Sequence, residues 1–269
     1  MAKKQNTDEK YSEDELEEQD SAPEGTALVD WEAKMMQEAK DVAAVERPSV
    51  GILSFRSGIL SYEGNEVPDN NMDCIIVASA FENRLYKGAW DPDNIDSPDC
   101  FAIGLALEGK APVMSPHENV THPENDACKG CKQNEWGSDK SRPGSKGKAC
   151  KEIRRLALIP YNKEMTPGSI QGAEIALAKI PVTSVRNWGN FVNMVGAKYK
   201  RPPWAVAANI SVKPHTKWQL EVSFNFVAPM PTELLGALDA KRQAVLPALL
   251  APYDAKAEEG EAPADSDKY

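Results

Sequence analysis

The stretch Trp204-Ala-Val206-Ala-Ala208-Asn-Ile210-Ser-Val212-Lys-Pro-His215-Thr-Lys-Trp218-Gln-Leu220-Glu-Val222-Ser-Phe224-Asn-Phe226 decides the fold. Trp204, Val206, Ala208, Ile210 and Val212 fall on one face of a first extended segment. Trp218, Leu220, Val222, Phe224 and Phe226 fall on one face of a second, against polar Gln219, Glu221, Ser223 and Asn225. A clean period of two means half-buried antiparallel strands, and residues 213–217 join them as a hairpin.

Upstream, the period changes. Val185, Trp188, Val192, Val195 and Tyr199 recur at helical spacing, with Thr183 or Ser184 as N-cap and Pro202-Pro203 as the stop. Earlier still, residues 51–62 read as a bent strand broken near Ser57-Gly58, and 72–80, 153–160 and 174–180 read as further strands. Residues 31–45 and 234–250 read as helices. Three or more strands, one helix and then a two-stranded hairpin is the order of an OB-like five-stranded Greek-key barrel. The expected class is therefore mainly β. The expected organisation is a disordered acidic arm over 1–30, an OB-like domain over 31–252 and a disordered acidic tail over 253–269. Residues 88–151 are too long and too rich in turns for an ordinary loop, so they read as an insertion that needs an internal staple.

The formal charge of −10 is unevenly spread. Residues 1–30 carry ten acids against three lysines, and 253–269 carry six acids against two lysines, so 31–252 is close to neutral. Within it, 129–163 holds ten bases against three acids. Acidic ends around a basic centre suit a protein that binds a polyanion. No charged-then-apolar leader and no membrane-length apolar run is visible, and the thiols have metal spacing, so a reducing cytoplasm is expected.

Cys128-Lys-Gly-Cys131 is a Cys-x-x-Cys knuckle, followed by Cys150 after a Gly/Lys-rich loop. Two thiolates so spaced meet one tetrahedral zinc from a tight turn, here opened by Gly130. Cys100 is the expected fourth ligand, with His117 and His122 as competing donors. Cys74 lies in an apolar run and reads as a buried thiol. A zinc ion held by Cys100, Cys128, Cys131 and Cys150 would be structural, because an all-thiolate set leaves no open position.

The tryptophans and other aromatics divide by context. Trp188, Trp204, Trp218, Phe224 and Phe226 lie on apolar faces and read as core. Tyr62 sits among polar neighbours, and Tyr86, Trp90 and Trp136 lie among polar or charged ones, where bases could stack. Arg84, Lys146, Lys148, Lys151, Arg154 and Arg155 are the cations expected to meet phosphates. Arg154 and Arg155 point to opposite faces of one strand, so one of them is expected in the groove. No nucleophile elbow appears. Residues 144–149 lack the spacing of a phosphate-binding loop, and Asp91, Asp93 and Asp96 lack the glycine and glutamate of a calcium loop. A non-enzymatic role is expected.

Pro98-Asp-Cys100, Cys128-Lys-Gly-Cys131, Asn134-Glu-Trp136-Gly137-Ser138 and Gly147-Lys148-Ala149-Cys150 together resemble a signature of tailed-phage proteins, over about residues 98–155. In outline the chain is similar to the zinc-containing single-stranded DNA-binding proteins of large phages. Two departures stand out: those proteins include a histidine ligand where this chain offers four cysteines, and their N-terminal arm is basic where this one is acidic. The resemblance implies a protein that coats single-stranded DNA in phage replication or recombination, in the host cytoplasm. It also implies an acidic tail, here Glu258, Glu259, Glu261, Asp265, Asp267 and Tyr269, that recruits replication proteins. The alternative is a zinc-stapled protein-interaction module, transcription-associated or from a virion, without nucleic-acid binding.

Overall fold

A computed structural model describes residues 50–87, 97–107, 109–141, 143–217 and 219–253, with Trp31, Lys34, Met35 and Glu38. The latter four belong to a separate unit spanning 1–48; they are helical and exposed. The expected acidic arm and tail fall largely outside the described residues.

The second unit is built on one long strand. β4 (Asn71–Leu85) runs through the middle of a nine-stranded sheet. Its first half pairs antiparallel with β8 (Val206–His215), its second half with β5 (Cys100–Gly104), and nearly its whole length with β6 (Lys151–Pro160). β6 pairs with β7 (Ile175–Ile180), and β8 with β9 (Gln219–Pro229). β1 (Val50–Ser54) lies parallel to β7, and the short β2 (Ser61–Tyr62) and β3 (Asn65–Glu66) complete that edge. Along the sheet the order is β3-β2-β1-β7-β6-β4-β8-β9, with β5 beside β4. Bulges between Ile76 and Ala78, and between Ala207 and Ala208, bend the strands where one residue is left unpaired.

The sheet curls into a half-barrel. One apolar cluster draws on β1 (Leu53), β4 (Ile76), β6 (Leu156, Leu158), β8 (Ile210) and β9 (Val222, Phe224), so strands from both ends of the sheet bend towards this face. The turn at Arg56–Gly58 after β1 packs on β8 and β9. Gly58 has φ +79° there, and a Cβ would come within 3.3 Å of Pro214. The break read at Ser57-Gly58 is this turn.

Helices cover both faces. α2 (Val185–Met194), continued by a π-helical turn to Tyr199, fills the inner face with Trp188 and Phe191. On the outer face α3 (Leu235–Leu250) seats Leu238, Val245 and Leu249 on Ile75, Val77, Ala157 and Ile159. α1 (Pro167–Gly172), whose Ile170 joins that cluster, starts at a reciprocal cap between Thr166 and Ser169. Burying each of these large apolar side chains contributes about 1.5–3 kcal/mol.

The mainly β class, the hairpin and the long helix follow the sequence pattern. Three points differ. The sheet has nine strands rather than five, and its outermost strands β3 and β9 do not pair with each other among the described residues. Trp204 lies in a 3-10 turn (Pro203–Ala205) before β8 and packs in the outer cluster, whereas Val206, Ala208 and Ile210 face inward. Its place before the strand takes it out of the alternation. Cys100–Gly104, within the stretch read as a turn-rich insertion, forms a strand of the sheet, β5. Trp218 lies outside the described residues.

Candidate nucleic-acid interface and cysteine cluster

The chain between β4 and β6 brings the four predicted cysteines together. Cys100 opens β5 opposite Leu85 of β4, and Cys150 directly precedes β6. Between them the loop is tied down by its backbone. The Cys128 N–H donates to the Met114 carbonyl (2.9 Å), and the Cys150 N–H to the Gln133 carbonyl (2.8 Å). Gly130, at φ +80°, makes the knuckle turn that a side chain would strain. Cys100, Cys128, Cys131 and Cys150 line one cavity of about 20 Å³ with Leu85, enough for a single ion or water.

Electrostatics agree that the thiols are close. Burial, and then the nearness of Cys128, Cys100 and Cys131, pushes the Cys150 thiol up to about 12. Cys128 is also raised, chiefly by burial, although the Asn83 amide bonds its sulfur and opposes the shift. Among the described residues no group of three or more His, Cys, Asp or Glu stands in a ready coordinating arrangement. The four sulfurs share a cavity without converging on one point. The rival donors are elsewhere: His117 stacks on Phe101 (5.1 Å) and accepts the Asn119 N–H at Nδ1 (3.1 Å), and His122 is exposed. Cys74 is fully buried in the inner core, with its thiol raised by burial.

Asp139 organises the other end of the loop. It is buried, and its carboxylate accepts the Ser141 N–H and hydroxyl (3.0 and 2.6 Å), the Ser145 hydroxyl (3.2 Å) and the Lys151 ammonium (2.9 Å). Those donors, Ser141 and Lys151 first, hold it well below the usual carboxylate range. Lys151 is thereby an internal tie, and it also donates to the Lys148 carbonyl (2.6 Å).

The loop carries Trp136 outward, 80% exposed, with the Lys148 ammonium 5.3 Å from its ring centre. Lys148 is steadied by Asn134 (3.1 Å) and Glu152 (3.2 Å). Lys146 is exposed. On the adjoining strands the Arg154 guanidinium lies 3.8 Å from the centre of the Phe81 ring, and burial lowers its pKa. Phe81 and Arg154 are direct partners across β4 and β6, so they share a face.

Strand alternation divides the predicted cations. Arg84 pairs with Lys151 and with Phe101, on the face opposite Arg154. Tyr86, 43% exposed, lies 5.8 Å from the Arg84 guanidinium. Arg155 is not at the surface. It is buried under the end of α3, ion-paired with buried Glu82, and donates to the carbonyls of Leu249 (3.3 Å) and Ala251 (2.6 Å). It therefore cannot serve as the expected groove cation in this arrangement. Trp90, Tyr269 and the acidic residues Glu258, Glu259, Glu261, Asp265 and Asp267 lie outside the described residues.

Four residues that the sequence reading passed over complete the picture: Phe81, Glu82, Lys179 and Tyr253. A glutamate inside the strand run Phe81-Glu82-Asn83-Arg84 signals a buried cation partner, since a lone buried carboxylate is too costly. Nothing local marks Tyr253. Among the described residues no helix is long and apolar enough to cross a membrane. Comparison with protein-family models, with curated proteins and with solved structures finds no match to this chain.

Proposed function

We propose that this chain is a non-enzymatic single-stranded DNA-binding protein, with an OB-like core and a zinc-stapled insertion, that serves DNA replication or recombination. The observation that carries the reading is Trp136, held 80% exposed on a hydrogen-bonded loop with Lys148 over its ring. A base stacked on such an indole contributes about 1–3 kcal/mol, and the adjacent ammonium meets the phosphate.

The topology supports the core assignment. Five neighbouring strands run β7-β6-β4-β8-β9, and in chain order β4, β6 and β7 precede α2, which precedes β8 and β9. That order is the one expected of an OB core, three strands, helix and two strands with the first strand between the second and fourth, and it supports the reading. The free edge of β7, where an OB barrel closes, is taken by parallel β1. The cysteine loop then joins the first and second strands, one of the two connections with which this fold grips oligonucleotides.

Zinc fits the donor set. Four soft thiols lining one cavity of single-ion size suit it. When bound, zinc would cross-link β5, the knuckle and the start of β6, and would relieve the repulsion among the thiolates. The acidic residues Glu258, Glu259, Glu261, Asp265 and Asp267, with Tyr269, would recruit partner proteins.

A second reading, a zinc-stapled protein-interaction module, draws on a different fact. Lys87, Lys148 and Lys151 are each paired with an acid of the chain, Glu124, Glu152 and Asp139 respectively, which spends part of the basic charge internally. A fluorescence titration with single- and double-stranded oligonucleotides at two salt concentrations decides between them. Salt-sensitive quenching by oligo-dT, stronger than by duplex, supports the first; no binding at low salt overturns it.

A further inference from the structure

The outer face of β6 and β7, where an OB fold lays its ligand, is not open. Arg155 pairs directly with Lys179 of β7 and Ala80 of β4, so these share that face, and Glu82 and Arg84 follow Ala80 on it at period two. Into this group the chain returns after α3 and inserts Tyr253. Its hydroxyl donates to Glu82 Oε1, and the Arg84 guanidinium bonds the same oxygen of the tyrosine. The ring is flanked by two cations, Lys179 Nζ at 4.2 Å and the Arg155 guanidinium at 5.2 Å from its centre. Phe101 meets it edge-on at 5.1 Å.

An aromatic ring edged by Phe101, flanked by cations and offering a hydrogen to a carboxylate is the outline of a nucleobase. Each base carries at least one N–H on its pairing edge or exocyclic amine that could replace the tyrosine hydroxyl as donor to Glu82. Among the described residues the cations around the ring, Arg84, Arg155 and Lys179, outnumber the acid Glu82, which gives the socket a positive bias towards the phosphates on either side of the base. The covering segment is slight: residues 251–253 have no regular structure, and they are held by the Ala251 N–H on the Ala248 carbonyl, the Ala251 carbonyl on Arg155 and Tyr253 itself.

We propose that the Glu82–Arg84–Arg155–Lys179 socket is a base-binding subsite for single-stranded DNA, and that Tyr253 occupies it until a strand displaces it. This rests on the single-strand reading above and adds a second contact, on the face away from Arg154. A segment that fills its own protein's site lowers apparent affinity by the fraction of molecules in which the site is open.

The test is oligo-dT binding by the full chain, wild type against Tyr253→Ala and Tyr253→Phe, with amide hydrogen exchange as a second readout. Tyr253→Ala should bind about tenfold more tightly if the segment is seated in nine molecules of ten, and Tyr253→Phe should fall between. In the wild type, oligo-dT should speed exchange at residues 249–253 while slowing it on β6. If the wild type binds but Tyr253→Ala binds equally or less well, the socket assignment is wrong and the single-strand reading stands. Should Tyr253→Ala not fold, the wild-type exchange decides: unchanged or slower exchange at 249–253 on binding overturns the proposal. If none of the chains binds oligo-dT, the single-strand reading falls and the subsite with it.

Discussion

Arg155 and Glu82 form a buried ion pair that ties β6 to β4 beneath the last turn of α3. The guanidinium also satisfies the Leu249 and Ala251 carbonyls, which the end of a helix leaves without partners. One side chain therefore joins two strands and a helix terminus.

Removing one member of such a pair strands the other. Arg155→Ala should destabilise the fold by about 3–5 kcal/mol, because Glu82 then stays buried without its ion-pair partner, keeping the Tyr253 hydroxyl and the nearby Arg84. Denaturant unfolding measures this. A loss under about 1 kcal/mol, typical of an exposed pair, would place Arg155 at the surface instead.

Binding should depend on the loop. Trp136→Ala should weaken oligo-dT binding by about 1–3 kcal/mol with little change in stability, since the indole is 80% exposed. If four to six phosphates are neutralised, log K should fall against log salt with a slope of roughly −3 to −4, at about 0.7 per phosphate. Lys146→Glu with Lys148→Glu should flatten that slope. Unaltered affinity and slope in both variants would move the interface off this loop.

What the sequence revealed and what it concealed follow from one limit: periodicity reports a face, not what covers it. Val206, Ile210, Val222 and Phe224 alternate, and they are buried together as their alternation requires. Trp188 of α2 and Val195 after it were equally legible, as was the gathering of Cys100 with three distant cysteines, whereas the buried Phe191 was not read. The neighbours Arg154 and Arg155 read correctly as pointing to opposite faces. Which of them would be covered depends on where α3 docks, more than 80 residues later, and no local signal carries that. The parallel pairing of β1 with β7 was hidden for the same reason, since a strand of five residues does not name its partner. α1 hides in a turn-rich stretch and is marked only by its Thr166 cap and Pro167.

The metal prediction has a sharp form. Protein purified under reducing conditions should hold one zinc per chain, and serine at Cys100, Cys128, Cys131 or Cys150 should remove or greatly weaken it. His122→Ala and Cys74→Ser should retain it, because the first side chain is exposed outside the cavity lining and the second is buried in the inner core. Elemental analysis of each variant reads this directly. Retention in Cys100→Ser with loss in His122→Ala would move the fourth ligand to histidine, and metal-free wild type would remove the site.

Asp139 gives the loop a pH dependence with a definite sign. Its folded pKa lies below the ordinary value near 3.9, through the hydrogen bonds of Ser141 and Lys151, so the unfolded chain takes up the proton first on acidification. Its contribution is complete above about pH 5 and is lost as pH falls through the depressed folded value. Asp139→Asn keeps the shape but replaces the carboxylate that four donors share, and should cost about 1–3 kcal/mol at neutral pH. Between about pH 5 and 3 the variant should lose stability less steeply than the wild type, because Asp139 no longer adds to the slope. Urea unfolding of both proteins across that range measures it. Parallel stability curves would mean that Asp139 is not ionised in this network.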